Sequence, residues 1–109
     1  MAQNYKVLGQ IAPSATTATV LYTVPAATEA VVSSVTICNR AASAGTFRLA
    51  VRPNGATLAN EHYVVYDTSI AANDTVVLTI GLTLDAADVL EVYASSADMS
   101  FNAYGSEIS

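Results

Sequence analysis

The sequence predicts an all-β fold, an antiparallel β-sandwich of about eight strands with jelly-roll-like or immunoglobulin-like connectivity. Three observations carry that expectation. Short apolar runs with period-two alternation recur about every 8 to 12 residues along the chain. Each run is closed by a cluster of Gly, Pro, Asn, Asp, Ser or Ala. Between these breakers most residues are Val, Ile, Leu, Ala, Thr or Tyr, which favour a pleated, half-buried surface. No window of about ten residues shows a 3.6-residue apolar period free of competing β-branched residues, so helix is not expected.

The first strand is expected over Tyr5–Ile11, ended by Ala12, Pro13 and Ser14. The second, Ala18–Val24, sets Val20 and Tyr22 against Thr19 and Thr23 and stops at Pro25. The third covers Glu29–Asn39, with Val31, Val35 and Ile37 on one face and Ser33 interrupting the stripe. Residues 40–45 then turn the chain. In the fourth, Thr46–Arg52, Phe47, Leu49 and Val51 face one way and Arg48 and Arg52 the other.

Pro53-Asn54-Gly55 is a strong turn signal, because Pro sets the bend while Asn and Gly tolerate positive φ. Residues 56–61 read as a loop or short crossover. The fifth strand is His62–Ile70, with Tyr63 on the opposite face from Val64, Tyr66 and Ile70. After a turn at 71–74 comes a sixth, Thr75–Leu82, in which Val76, Leu78, Ile80 and Leu82 share a face. A loop at 85–88 leads to a seventh, Val89–Ser95, and a turn at 96–98 to an eighth, Met99–Ser106. The inward-facing set is Val20, Tyr22, Val31, Val35, Ile37, Phe47, Leu49, Val51, Val76, Leu78, Ile80, Leu90, Val92 and Phe101. The expected organisation is one domain, residues 1–109, with no internal repeat or linker.

Charged residues make up 12% of the 109 residues and hydrophobic ones 52%. The charged share is about half the usual 25% or so, which favours hiding part of the surface against other protein. Net charge is −5, with four basic residues. Lys6, Arg40, Arg48 and Arg52 cannot build the basic stripe that nucleic acid requires. No run approaches the roughly 18 to 20 apolar residues of a spanning helix, so no membrane partner is expected. The opening residues lack an apolar core, which reads as no secretory signal. With one Cys there is no intramolecular disulfide. These features point to folding in the cytosol.

Residues able to do chemistry are sparse. His62, Asp67 and Ser69 share a strand, but strict alternation puts His62 on the opposite face from the other two, which rules out a catalytic triad. Asp85, Asp88 and Asp98 occupy two loops that would meet if both lay at one end of the sandwich. Their spacing matches no ion-wrapping loop, so turn duty is expected rather than calcium. Cys38 reads as a small buried hydrophobe. Asn73-Asp74-Thr75 fits a glycosylation sequon, which a chain without a secretory signal does not use. No enzyme activity, metal or cofactor is expected.

The six tyrosines carry more information, since Tyr joins apolar area to a hydrogen-bonding tip and is enriched where proteins meet. Tyr93 points outward if Leu90, Val92 and Ala94 point in. Tyr63 and Tyr93, with the outward Arg48 and Arg52, are the candidate interface residues.

Several segments stand out as a set: Val7-Leu8-Gly9-Gln10, Leu21-Tyr22-Thr23-Val24-Pro25, Val35 to Arg40 with its Cys38-Asn39-Arg40 end, and Phe47 to Arg52. Tyr66-Asp67, Ile70 to Thr75 and the closing Asn102 to Glu107 belong with them. On these residues nearly the whole chain resembles small virion structural proteins of tailed bacteriophages. The resemblance implies a decoration or cement protein that folds in the host cytoplasm and binds the outside of the capsid. Its partners would be the major capsid protein, or other virion proteins, and itself in a homotrimer. A tail, baseplate or fibre component is the nearest alternative. A carbohydrate-binding β-sandwich module is a third, weakened by the absence of Trp.

Overall fold

The computed structural model describes residues 2–109, so of the expected 1–109 domain only Met1 lies outside the described residues. The strands are β1 Gln3–Ile11, β2 Thr19–Thr23, β3 Glu29–Asn39, β4 Gly45–Arg52, β5 Tyr63–Ile70, β6 Thr75–Leu78, β7 Leu82–Leu84, β8 Val89–Ala94 and β9 Met99–Ile108. Pro53–Gly55 and Asn60–His62 are short 3-10 turns, and His62 therefore precedes β5 instead of opening it. No described helix is long and apolar enough to cross a membrane.

Two antiparallel sheets pack face to face, one ordered β1-β9-β3-β6 with β7 also on β3, the other ordered β2-β8-β4-β5. The pairs β1·β9, β2·β8, β3 with β6 and β7, and β4·β5 are those of one long hairpin whose tip is the β4–β5 connection. Rolling that hairpin over itself lays β9 against β3 and β8 against β4. This is jelly-roll connectivity, and it decides between the two expected topologies.

The sixth expected strand is two strands. β6 pairs with Val35–Cys38 and β7 with Ala30–Val32 of the same β3. Between them β3 carries a bulge, where its register on β9 shifts between Val32 and Ser34. Gly81, at φ 57°, turns the chain past that irregular stretch.

Bulges also correct the inward set. A strand bulge inserts one residue and reverses which parity faces the core. In β3, Ala30 and Val32 point in before the bulge and Val35 and Ile37 after it, so Val31 is only half-buried. In β2 the register on β8 shifts between Val20 and Tyr22. Leu21 and Tyr22 are then both buried, and Val20 is left 42% exposed on the outer face. Val51, Val76, Leu78 and Ile80 pack at the margin of the core, half-buried. Its centre is Val32, Val35, Ile37, Phe47, Leu49, Leu90, Val92, Met99 and Phe101. Phe47 and Phe101 meet there edge to face, 6.4 Å between centroids.

At one end of the sandwich the buried Asn39 joins two loops. Its Nδ2 donates to the carbonyls of Ser43 and Ala71, at 3.0 and 3.1 Å, and its Oδ1 accepts from the Ala41 amide. Arg40 beside it donates to Ser100 Oγ and to the Ala97 carbonyl. The Cys38-Asn39-Arg40 segment is thus a structural clasp. Cys38 itself is half-buried, on the face opposite Ile37 and Asn39, and not a core residue.

Candidate interaction surface

The outer face of the four-stranded sheet gathers the side chains on which recognition could rest. Alternation along β4 turns Phe47 and Leu49 inward and puts Arg48, Ala50 and Arg52 on the opposite face, where Ala50 is itself covered and buried. Alternation along β8 buries Leu90, Val92 and Ala94 and leaves Glu91 and Tyr93 on the same outer side. The register sets Arg48 opposite Tyr93 and Ala50 opposite Glu91.

β5 reaches this face differently from the strict alternation expected of it. Its register on β4 shifts twice, between Phe47 and Leu49 and between Leu49 and Ala50. Asp67 takes the left-handed conformation, φ 50°, that such an irregularity needs and that Asp tolerates better than most residues. Tyr63 and Tyr66, expected on opposite faces, consequently meet edge to face at 4.8 Å and 83°.

Arg48 is the centre of the arrangement. Its guanidinium carbon lies 4.3 Å from the Tyr66 ring centroid and 4.1 Å from that of Tyr93. Arg48 Nε donates to Asp67 Oδ1 at 2.6 Å, and a terminal amine donates to Oδ2 at 3.3 Å. The hydrogen bond to Asp67 raises the guanidinium pKa further above its ordinary value. Stacking on two rings and a two-point carboxylate contact fix a side chain that is usually mobile, so little rotamer entropy remains to be lost on binding.

Arg52 has an inward-looking role. Its Nη1 donates to the carbonyls of Gly55 and Ala56, and its Nη2 lies 3.3 Å from Glu91 Oε1. It pins the 53–56 turn to β8. Glu91 is 9% exposed; its Oε2 and the Arg52 Nε are both buried and find no hydrogen-bond partner among the described residues.

Beside Arg48 the face dips into a cleft of about 280 Å³. Ala50 forms part of its lining with Glu91, Tyr93, Tyr63 and Leu58. Three of the four residues expected at an interface, Arg48, Tyr63 and Tyr93, therefore border one concavity. Glu91 was legible by the alternation that turns Tyr93 outward. Tyr66 and Asp67 depend on the β5 irregularity, whose one sequence trace is an Asp at the left-handed position.

The other polar residues hold the fold. His62 Nδ1 accepts the Ala59 amide at 3.0 Å, and Ser69 sits opposite Thr46 in the ladder. Asp88 accepts the amides of Asn54 and Asp85, one on each carboxylate oxygen. The loops carrying Asp85 and Asp98 lie at opposite ends of the sandwich, contrary to the arrangement a shared ion would need. β3 shows this directly: Ala30 pairs with Leu84, just before Asp85, and Asn39 with Met99, just after Asp98. Asp74 caps its own turn by accepting the Thr75 amide.

The chain matches no protein-family model, and no match is found among curated proteins.

Proposed function

We propose that this protein is a structural component of a phage virion, a capsid cement protein that binds the outer shell and adds contacts between neighbouring capsid subunits. The observation that carries the reading is the pre-set Arg48, held between Tyr66 and Tyr93 and anchored by Asp67 on an outer sheet face. Tyr and Arg dominate the residues that carry binding energy at protein interfaces. The partners are the major capsid protein and further copies of this chain in a homotrimer. Exposed apolar side chains, Tyr5 at 81% and Val77 at 61% on the other sheet, leave additional surface for such contacts. The resemblance of the Leu21–Pro25 and Cys38–Arg40 segments to virion proteins supports the same class.

A cement protein binds the assembled shell selectively, so mass action favours intact particles. Particles stripped of the protein should form but burst at lower temperature, and adding back the purified chain should restore them. Arg48→Ala and Tyr66→Ala should weaken that rescue, whereas Ser69→Ala should leave it unchanged. Stripped particles that resist heat like complete ones, yet fail to attach to cells, would replace this reading with a tail or fibre role.

A further inference from the structure

We propose that the free edge of β1 pairs with the same edge of a second copy of this chain, as antiparallel strands about a two-fold axis. Being two-fold, the contact goes beyond the proposed homotrimer. Because it concerns the isolated chain, it does not depend on the capsid reading.

The first argument is the edge itself. β1 closes the five-stranded sheet and, among the described residues, its ladder pairs only with β9. The Ala2 and Ser109 backbones exchange bonds in both directions, at 2.8 and 2.9 Å, which sets the phase of that ladder. Asn4 and Lys6 therefore bond toward β9, while the N–H and C=O groups of Gln3, Tyr5 and Val7 point to the open side. The register runs unbroken from Gln3 to Val7 and shifts only beyond it. Tyr5 is 81% exposed and Val7 48%.

The second argument is what the other edges carry. A regular sheet edge is a template for another strand, and proteins usually blunt it with bulges, short strands or an outward lysine. β2 has a bulge between Val20 and Tyr22, and β5 shifts register twice. On the far side of the first sheet the edge is split between the short β6 and β7. β1 does carry a lysine, but Lys6 Nζ lies 2.8 Å from Glu107 Oε1 of its own sheet and is committed there.

The third is register, which selects a second copy as the partner. With Tyr5 opposite the partner's Tyr5, Gln3 meets the partner's Val7 and Val7 meets the partner's Gln3. Each such pair exchanges two bonds, about six in all. Lys6 then faces the partner's Asn4, so no like charges are opposed, although the chain carries a net charge of −5. Sliding one copy two residues one way sets Lys6 against the partner's Lys6. Sliding it the other way loses one of the pairs among the described residues. An identical edge is self-complementary by symmetry, which an unrelated strand is not.

The test is sedimentation equilibrium and amide exchange of the isolated full chain from about 10 µM to 1 mM, since so small a contact falls in the weak range. Dimer should appear across that range, and exchange at the Tyr5 and Val7 amides should slow as it does. Tyr5→Pro removes an N–H that the chain's own ladder does not use, a change edge strands accept, and should weaken association at least about tenfold. Tyr5→Lys sets like charges opposite one another and should do the same with every backbone group in place. Val77→Lys, at the opposite edge of the same sheet, should leave association unchanged. Should Tyr5→Pro fail to fold, Tyr5→Lys and the exchange rates decide. A chain still monomeric at about 1 mM would overturn the proposal. So would dimers that survive Tyr5→Lys. Trimers formed with no concentration dependence at the Tyr5 amide would overturn it as well, and would leave the homotrimer standing without this contact.

Discussion

Asp67 accepts two hydrogen bonds from Arg48 while its own backbone sits at φ 50°, so a strained residue and a pre-set arginine are one device. The irregular β5 turns the Asp67 carboxylate toward β4, and the arginine it captures is thereby held between Tyr66 and Tyr93.

That coupling predicts different outcomes for two substitutions at one position. Asp67→Ala and Asp67→Gly both lose the ion pair, worth about 0.2 to 1 kcal/mol at this exposure. A left-handed backbone costs a residue with a Cβ about 1 to 2 kcal/mol more than glycine. Asp67→Ala should therefore unfold at lower urea than Asp67→Gly, while both lose particle rescue to the same degree. An Ala variant more stable than the Gly variant would show that this backbone conformation is not what the position demands.

The strand glycines predict a second contrast. A Cβ on Gly9 would overlap the Leu21 carbonyl oxygen, where β1 of one sheet crosses close to β2 of the other. A Cβ on Gly105 would overlap the Val31 carbonyl beside the β3 bulge. Gly9→Ala and Gly105→Ala should each cost about 1 to 3 kcal/mol, as overpacking does. Gly81→Ala meets no atom within 4 Å and bears only the cost of its φ of 57°. Thermal melting should place Gly81→Ala nearest the parent chain.

Asn39 predicts the largest loss from a single polar residue. Truncation to Ala leaves the Ala41 amide and the Ser43 and Ala71 carbonyls without their partner near a buried site. Each such group costs about 1 to 3 kcal/mol when it cannot reach water. Asn39→Ala should lose at least about 2 kcal/mol by denaturant unfolding, and Asn39→Asp should not restore it, because a carboxylate cannot donate to the two carbonyls.

These sites mark where the sequence was legible and where it was not. Alternation located every strand but β7, which it merged into Thr75–Leu82, and the expected Glu29–Asn39 coincides with β3. It also turned Arg48 and Tyr93 to one outer face. It failed wherever a bulge adds a residue, because parity reverses while composition stays that of a strand. Val20, Val31 and the Tyr63–Tyr66 pair were misplaced for that one reason. The trace such a bulge leaves is indirect: Gly9 and Gly105 are strand glycines where another backbone comes close, a meaning glycine often carries inside a strand. Glu91 lay within reach of the alternation, but its burial against Arg52 is a three-dimensional fact.

The last prediction concerns pH and the bond between the sheets. Tyr22 of β2 donates to Glu107 Oε2 of β9 at 2.6 Å, and Lys6 of β1 lies 2.8 Å from Glu107 Oε1. The bond from Lys6, and then that from Tyr22, hold the Glu107 carboxyl below the ordinary range. Burial, and then the bond to Glu107, push the Tyr22 hydroxyl above its ordinary value. For Glu107 the unfolded chain takes up its proton first as pH falls. Its stabilisation is therefore complete above the ordinary glutamate pKa, about 4.3, and disappears as pH drops through the lower folded value. For Tyr22 the unfolded chain loses its proton first as pH rises. That stabilisation is complete below the ordinary tyrosine pKa, about 10, and declines above it. Urea midpoints measured across the pH range should fall at both extremes. Glu107→Gln should flatten the acid limb. Tyr22→Phe should flatten the alkaline limb and, by removing one donor to Glu107, soften the acid limb as well. An acid limb equally steep in Glu107→Gln and the parent chain would assign the acid sensitivity to other carboxylates.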